Sequence, residues 1–105
     1  MILVTGAGGK TGQAVVQALV ARGEPVRALI HRPEQSTRLR DLGTTETVVG
    51  DLLDAAGMTR AMEGVHAVYL IAPNVHPEEP RIGEIAIVAA QRSGVTRMVY
   101  HSVLH

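Results

Sequence analysis

The sequence predicts an α/β domain, a doubly wound parallel sheet of five strands in the order 3-2-1-4-5 with helices on both faces. Two observations carry this. Five short apolar runs alternate with four stretches of helical spacing, the pattern of a parallel sheet with crossover helices. Every one of those stretches is followed by a glycine stop, at 23, 43, 64 and 94. Right-handed crossovers leave few topologies for such a chain, and 3-2-1-4-5 is the order they favour.

The elements follow in chain order. Residues 1–5, "MILVT", are a continuous apolar run, as expected of a strand buried on both faces. Residues 11–22 carry Val15, Val16, Leu19 and Val20 at helical spacing. Residues 25–31 form a second strand, and 34–42 a short helix with Leu39 and Leu42 inward. Residues 45–50 are a third strand, and 54–63 a helix burying Met58, Ala61 and Met62. Residues 66–72 are a fourth strand, closed by Pro73. The proline-rich stretch 73–80 is a loop, and 81–93 a long helix with Ile82, Ile85, Val88 and Ala89 on one face. Residues 96–103 complete the sheet.

Composition bounds the function. A chain of 105 residues holds one domain and one core, and 46% hydrophobic against 19% charged residues is a globular balance. A net charge of zero gives no basic field for nucleic acid. The apolar runs are too short to cross a membrane. The absence of cysteine excludes disulfides, thiolate metal sites and a cysteine nucleophile, and fits a cytoplasmic protein. The core is built without Phe or Trp. Lys10 is the sole lysine beside nine arginines, so any lysine-dependent chemistry rests on it.

The turn after the first strand, "TGAGGKTG", holds the main motif. Gly9-Lys10-Thr11 resembles the tail of a Walker A loop, but the glycine that loop needs at position 4 is Val4. The strict G-x-G-x-x-G also fails, because Thr11 stands at its third glycine. The spacing that holds is G-x-x-G-x-x-G, at Gly6, Gly9 and Gly12, directly after a buried strand and at the opening of a helix. Gly6 serves the sharp turn, Gly9 the close approach of backbone to phosphate, and Gly12 the packing of helix on sheet. The helix N-terminus then offers N–H groups to a pyrophosphate. A dinucleotide is the expected ligand.

The end of the second strand selects among dinucleotides. An acid there binds the ribose 2′-OH of NAD, whereas an arginine accommodates the 2′-phosphate of NADP. The chain has His31 and Arg32 in that place, so NADP(H) is expected over NAD(H). After the third strand, Gly50, Asp51 and Leu52 lie at the carboxyl edge of the sheet, where a short carboxylate and backbone could meet the adenine edge or Asp51 could cap the next helix; for Asp54 the cap is expected. The five histidines show no metal-binding spacing, and no metal is expected.

Taken together, "ILVTGAGGKTGQAVVQALVARGEPVRALIHRPE", "VVGDLLDAAGMTRAMEGVHAVYLIAP" and "VYHSVLH" resemble the NmrA-like, atypical branch of the short-chain dehydrogenase/reductase superfamily. The resemblance spans the whole chain and implies an NAD(P)-binding Rossmann domain over 1–105. It implies a phosphate loop of Thr5, Gly6, Gly9, Lys10, Thr11 and Gly12, a 2′-phosphate contact from Arg32, adenine contacts from Asp51 and Leu52, and Ala72 and Pro73 beside the nicotinamide ribose. It further implies Ser102 as the residue that polarises a substrate carbonyl. The chain departs from the superfamily in one respect: the Tyr-x-x-x-Lys proton-donor motif is impossible, because Leu104 follows Tyr100 and Pro73 follows Tyr69 at the lysine position. Relatives are longer, which implies an N-terminal portion whose substrate-binding part is absent, with strand five covered by that part or by a second copy. The resemblance points to an NAD(P)H-dependent oxidoreductase, and alternatively to a non-catalytic NAD(P) sensor that signals to a partner protein.

Overall fold

The protein is described here from a computed structural model, covering residues 1–71 and 79–101. The strands are β1 (Ile2–Val4), β2 (Val26–Ile30), β3 (Glu46–Val49), β4 (Ala67–Ile71) and β5 (Arg97–His101). The helices are α1 (Lys10–Ala21), α2 (Ser36–Asp41), α3 (Ala55–Ala61) and α4 (Glu79–Ser93), with a 3₁₀ turn, Pro33–Gln35, leading into α2. All strand pairs are parallel and the sheet order is β3-β2-β1-β4-β5, as the alternation predicts. β1 is central, and the chain winds outward from it first through β2 and β3, then through β4 and β5.

Alternation along the strands divides the core into two layers. Ile2, Val4, Val26, Ala28 and Ile30 pack with Val16, Leu19 and Leu39 of α1 and α2. Leu3, Leu29, Val68 and Leu70 pack on the other face with Met58, Ala61 and Met62 of α3 and Ile82, Ala86, Ala89 and Ala90 of α4. β1 is buried along its whole length, which explains its unbroken apolar run. Arg27 is the polar exception on β2. It binds Glu46 of β3 at 2.5 Å and the carbonyls of Ala61 and Glu63 at 2.5 and 2.8 Å, tying β2, β3 and the end of α3 together.

Three expectations are corrected. The predicted helix 34–42 is divided, because Pro33 opens a tight 3₁₀ turn and the α-helix starts only at Ser36. On α4, Val88 does not join the core: it is 46% exposed, like its neighbour Ile87. The inward face is Ile82, Ala86, Ala89 and Ala90. Apolar residues surround this helix on nearly all sides, so spacing alone does not choose its buried face. The alanines do, because their small side chains let the helix lie close to the sheet and to α3. α4 also begins at Glu79, two residues earlier than expected.

Where β1 ends, the buried Thr5 hydroxyl donates to the Ile71 carbonyl at 2.9 Å and accepts from the Ile71 amide at 2.8 Å. The Thr5 amide in turn donates to the Tyr69 carbonyl at 3.0 Å. These bonds clamp β1 to β4 where the chain changes its winding direction. We predict that Thr5→Val, which keeps the shape but leaves both Ile71 groups without their partner, lowers stability by about 2 kcal/mol. Thr5→Ser should stay near wild type. Urea denaturation monitored by circular dichroism checks this, and equal midpoints for Thr5→Val and wild type would refute it.

Candidate functional site

The loop after β1 lies at the carboxyl edge of the sheet, at the switch point between its two halves, where open α/β sheets bind ligands. Gly6 turns the chain at φ +59°, and a Cβ there would stand 2.9 Å from the Ile71 carbonyl oxygen. Both the dihedral and the space therefore call for glycine. The Gly9 amide closes the turn onto the Gly6 carbonyl at 3.2 Å, and the Ala7 amide reaches the Leu29 carbonyl of β2 at 3.3 Å. Gly12 is the tightest point. A Cβ there would lie 2.1 Å from the Gly6 oxygen and 2.7 Å from the Ala7 Cα. Its glycine is thus demanded by the loop backbone itself, a closer partner than the sheet that the motif suggests.

Gly9 is the opposite case. A Cβ there would meet only the Gly6 oxygen, at 3.7 Å. Nothing in the fold forbids a side chain at this exposed position, so the glycine leaves an open backbone surface. Gly9 is also the N-cap of α1, without a side-chain cap and with no acid in the helix's first turn. The first helical bond runs from the Gln13 amide to the Gly9 carbonyl, at 2.9 Å. The amides of Lys10, Thr11 and Gly12 precede it, and helix N-termini leave such donors for caps, water or an anion. Lys10 is exposed and Thr11 half-buried on this turn. Thr5 is placed differently, since its hydroxyl is committed to Ile71.

His31 and Arg32 follow β2 directly and are exposed. The Gly50 amide donates to the Ile30 carbonyl at 3.0 Å, bringing the end of β3 beside them. Asp51 is exposed, and its Oδ1 accepts from the Leu53 amide at 2.9 Å, which fixes the turn after β3. Leu52 packs against the core. Asp54 caps α3 as expected, accepting from the Gly57 amide at 3.1 Å. A groove of about 280 Å³ runs along β2 and β3 on the α3 side, past Leu29, Val48, Gly50, Asp51 and Met58. It contains none of the loop glycines and meets the candidate site only at Asp51. Ala72, Pro73 and Ser102 lie outside the described residues. Among the described residues, no three His, Asp or Glu side chains converge to hold a metal.

Three residues at this edge escape the motif reading. The Gln13 side-chain amide donates to the Gly8 carbonyl at 2.8 Å, and its Oε1 accepts from Arg38 Nε at 3.2 Å. Gln35 Oε1 accepts from the Arg32 amide at 3.3 Å. The Gln35 side chain also covers Gly8 so closely that a Cβ there would stand 2.3 Å from its amide carbon. The signal in the sequence was Gly8, a glycine that the G-x-x-G-x-x-G spacing does not require.

Comparison with known proteins agrees with this geometry. The model of the NAD(P)H-binding family matches residues 6–105. A (4-alkanoyl-5-oxo-2,5-dihydrofuran-3-yl)methyl phosphate reductase of Streptomyces griseus is 42% identical over 104 residues, which cover 99% of this chain and 35% of that protein. The crystal structure of an NADPH-dependent quinone oxidoreductase from Escherichia coli, complexed with NADPH, superposes with a TM-score of 0.86 at 30% identity, over 100% of this chain and 38% of that one. A Citrobacter triphenylmethane reductase complexed with NADP(H) gives a TM-score of 0.80 at 27% identity, over 94% and 36%. The chain thus spans about a third of the length of the proteins it matches. With its parallel Rossmann sheet, its glycine loop at the switch point and a family match over nearly every residue, the chain belongs to the NAD(P)H-binding family of NmrA-like, short-chain dehydrogenase/reductase type.

Proposed function

We propose that this chain is the NADP(H)-binding module of an NAD(P)H-dependent oxidoreductase. The observation that carries the proposal is the start of α1, an uncapped, acid-free helix N-terminus behind an open Gly9, at the switch point of a parallel sheet. The amides of Lys10, Thr11 and Gly12 would hold the pyrophosphate. Arg32 would pair with the 2′-phosphate, and His31 would lie beside it. Asp51 and Leu52 would meet the adenine, with Ala72 and Pro73 on the nicotinamide ribose side. The bound cofactor supplies the hydride chemistry. Ser102 is the residue proposed to polarise a substrate carbonyl. With Lys10 the sole lysine and placed on the phosphate loop, a Tyr-x-x-x-Lys proton donor plays no part in these 105 residues. That the similar proteins are reductases favours an enzymatic parent over a non-catalytic sensor.

Residues 1–105 would act as one cofactor domain, with the substrate held by chain or partner beyond them. The edge strand β5, with Val99 and Tyr100 exposed, is the place for that further portion or a second copy to dock. No helix among the described residues is long and apolar enough to cross a membrane. A cysteine-free chain fits a reducing compartment, and the cytoplasm is proposed.

Isothermal titration of NADPH and NADH into the purified chain tests the reading. NADPH should bind more tightly, and Arg32→Ala should weaken NADPH by roughly 10- to 100-fold, the scale of a lost charged hydrogen bond, with NADH little changed. Equal affinities for both cofactors in the wild type would overturn the NADP(H) assignment.

The two glycines should separate binding from folding. Gly9→Ala should hold its stability within about 1 kcal/mol, since its Cβ has room, yet lose most cofactor affinity. Gly12→Ala should be destabilised by about 3 kcal/mol, because the new Cβ collides with backbone that has no way to yield cheaply. Thermal melts beside the titrations read both effects. Undiminished binding by Gly9→Ala would argue that the loop is only a turn.

A further inference from the structure

Two arginines stand at the rim of the glycine loop, and the fold anchors both of them to Gly8. Arg32 is held through its backbone, whose amide donates to Gln35 Oε1 at 3.3 Å while the rest of the Gln35 amide lies against Gly8. Arg38 is held through its side chain, with Nε on Gln13 Oε1 at 3.2 Å and Gln13 Nε2 on the Gly8 carbonyl at 2.8 Å. Both arginines are exposed. Among the described residues the ion pair found is Arg27 with Glu46, so neither Arg32 nor Arg38 has a carboxylate partner. Glu34, on the turn between them, pairs with neither.

An arginine on a surface helix normally points freely into water, or pairs along its own helix as Arg40 does with Ser36. Arg38 instead crosses to a different helix and is held by a neutral acceptor. That contact leaves its positive charge uncompensated and occupies one of its five N–H donors, leaving the terminal nitrogens for another acceptor. A guanidinium fixed in this way gives up less rotamer freedom when an anion arrives. A phosphate monoester carries about −1.5 to −2 charges at pH 7, more than one arginine neutralises.

From this juxtaposition we infer that Arg38 is a second specificity-determining cation for the adenosine 2′-phosphate, and that Gln13 is its positioning residue. The inference rests on the NADP(H) reading above and extends it. Selectivity is set by the crossing between α2 and α1, and not only by the residue that follows β2.

The test compares adenosine 2′,5′-bisphosphate with adenosine 5′-monophosphate, which differ only in the 2′-phosphate, by calorimetry on the purified chain. Arg38→Gln should weaken the bisphosphate about tenfold and leave the monophosphate within about twofold. Arg38→Lys should keep part of the preference, because it keeps the charge. Gln13→Met, which keeps the length of the side chain but removes both hydrogen bonds, should lose about threefold on the bisphosphate alone, with an unchanged thermal melt. That ratio is a readout that a structural role for Gln13 would not move. If Arg38→Gln weakens both nucleotides equally, or neither, the inference is overturned. Arg32→Gln, measured alongside, separates it from the parent reading. Loss of the preference in Arg32→Gln but not in Arg38→Gln leaves a single-arginine site and removes Arg38. A wild-type chain that does not distinguish the two nucleotides removes both.

Discussion

Everything at the functional edge depends on how closely α1 begins against the loop that precedes it. The position of a Gly12 Cβ, 2.1 Å from the Gly6 oxygen, measures that approach. Because the helix starts so near the end of β1, its first amides open at the sheet edge and not a turn away from it. Gln13, one residue beyond Gly12, is then close enough to reach back to the Gly8 carbonyl and across to Arg38. The Thr5 clamp to Ile71 fixes the other side of the same loop. A larger residue at 12 would lift the helix and separate its amides, Gln13 and the loop carbonyl together.

Much of this was legible in the sequence, for identifiable reasons. Strand order and element type came from alternation and from the unbroken burial of β1, which leaves no polar residue in its run. The glycine loop was legible because backbone geometry fixes Gly6 and Gly12, and backbone geometry restricts residue type severely. Asp54 was legible because a cap is a local contact, three residues from its donor. The buried face of α4 was not. With Ile87 and Val88 outside and three alanines beside Ile82 inside, the helix departs from the rule that the bulkiest apolar residues face the core, and its packing with α3 and the sheet accounts for it. The Gln13–Arg38 link was also beyond reach, since it joins a half-buried and an exposed polar side chain 25 residues apart that no periodicity marks.

The two halves of the sheet use their helix N-termini differently, and the contrast bears on function. α3 carries its own cap: Asp54 satisfies the Gly57 amide, and Asp51 satisfies the turn before it. No ligand is needed there. α1 starts with glycine, carries no acid in its first turn, and has Lys10 as its first residue, a cation at the end where the helix dipole is already positive. In isolation that arrangement costs stability, since a capping acceptor and a favourable charge are both absent. An anion bound at this end would supply both at once. By linkage, a ligand that binds the folded chain alone stabilises it by about 2.7 kcal/mol at a hundred times its dissociation constant. On the function proposed above, the weak start of α1 would be one half of a contact whose other half is the cofactor. It also explains why the loop departs from ordinary capping chemistry at the one place in the sheet where the chain reverses its winding.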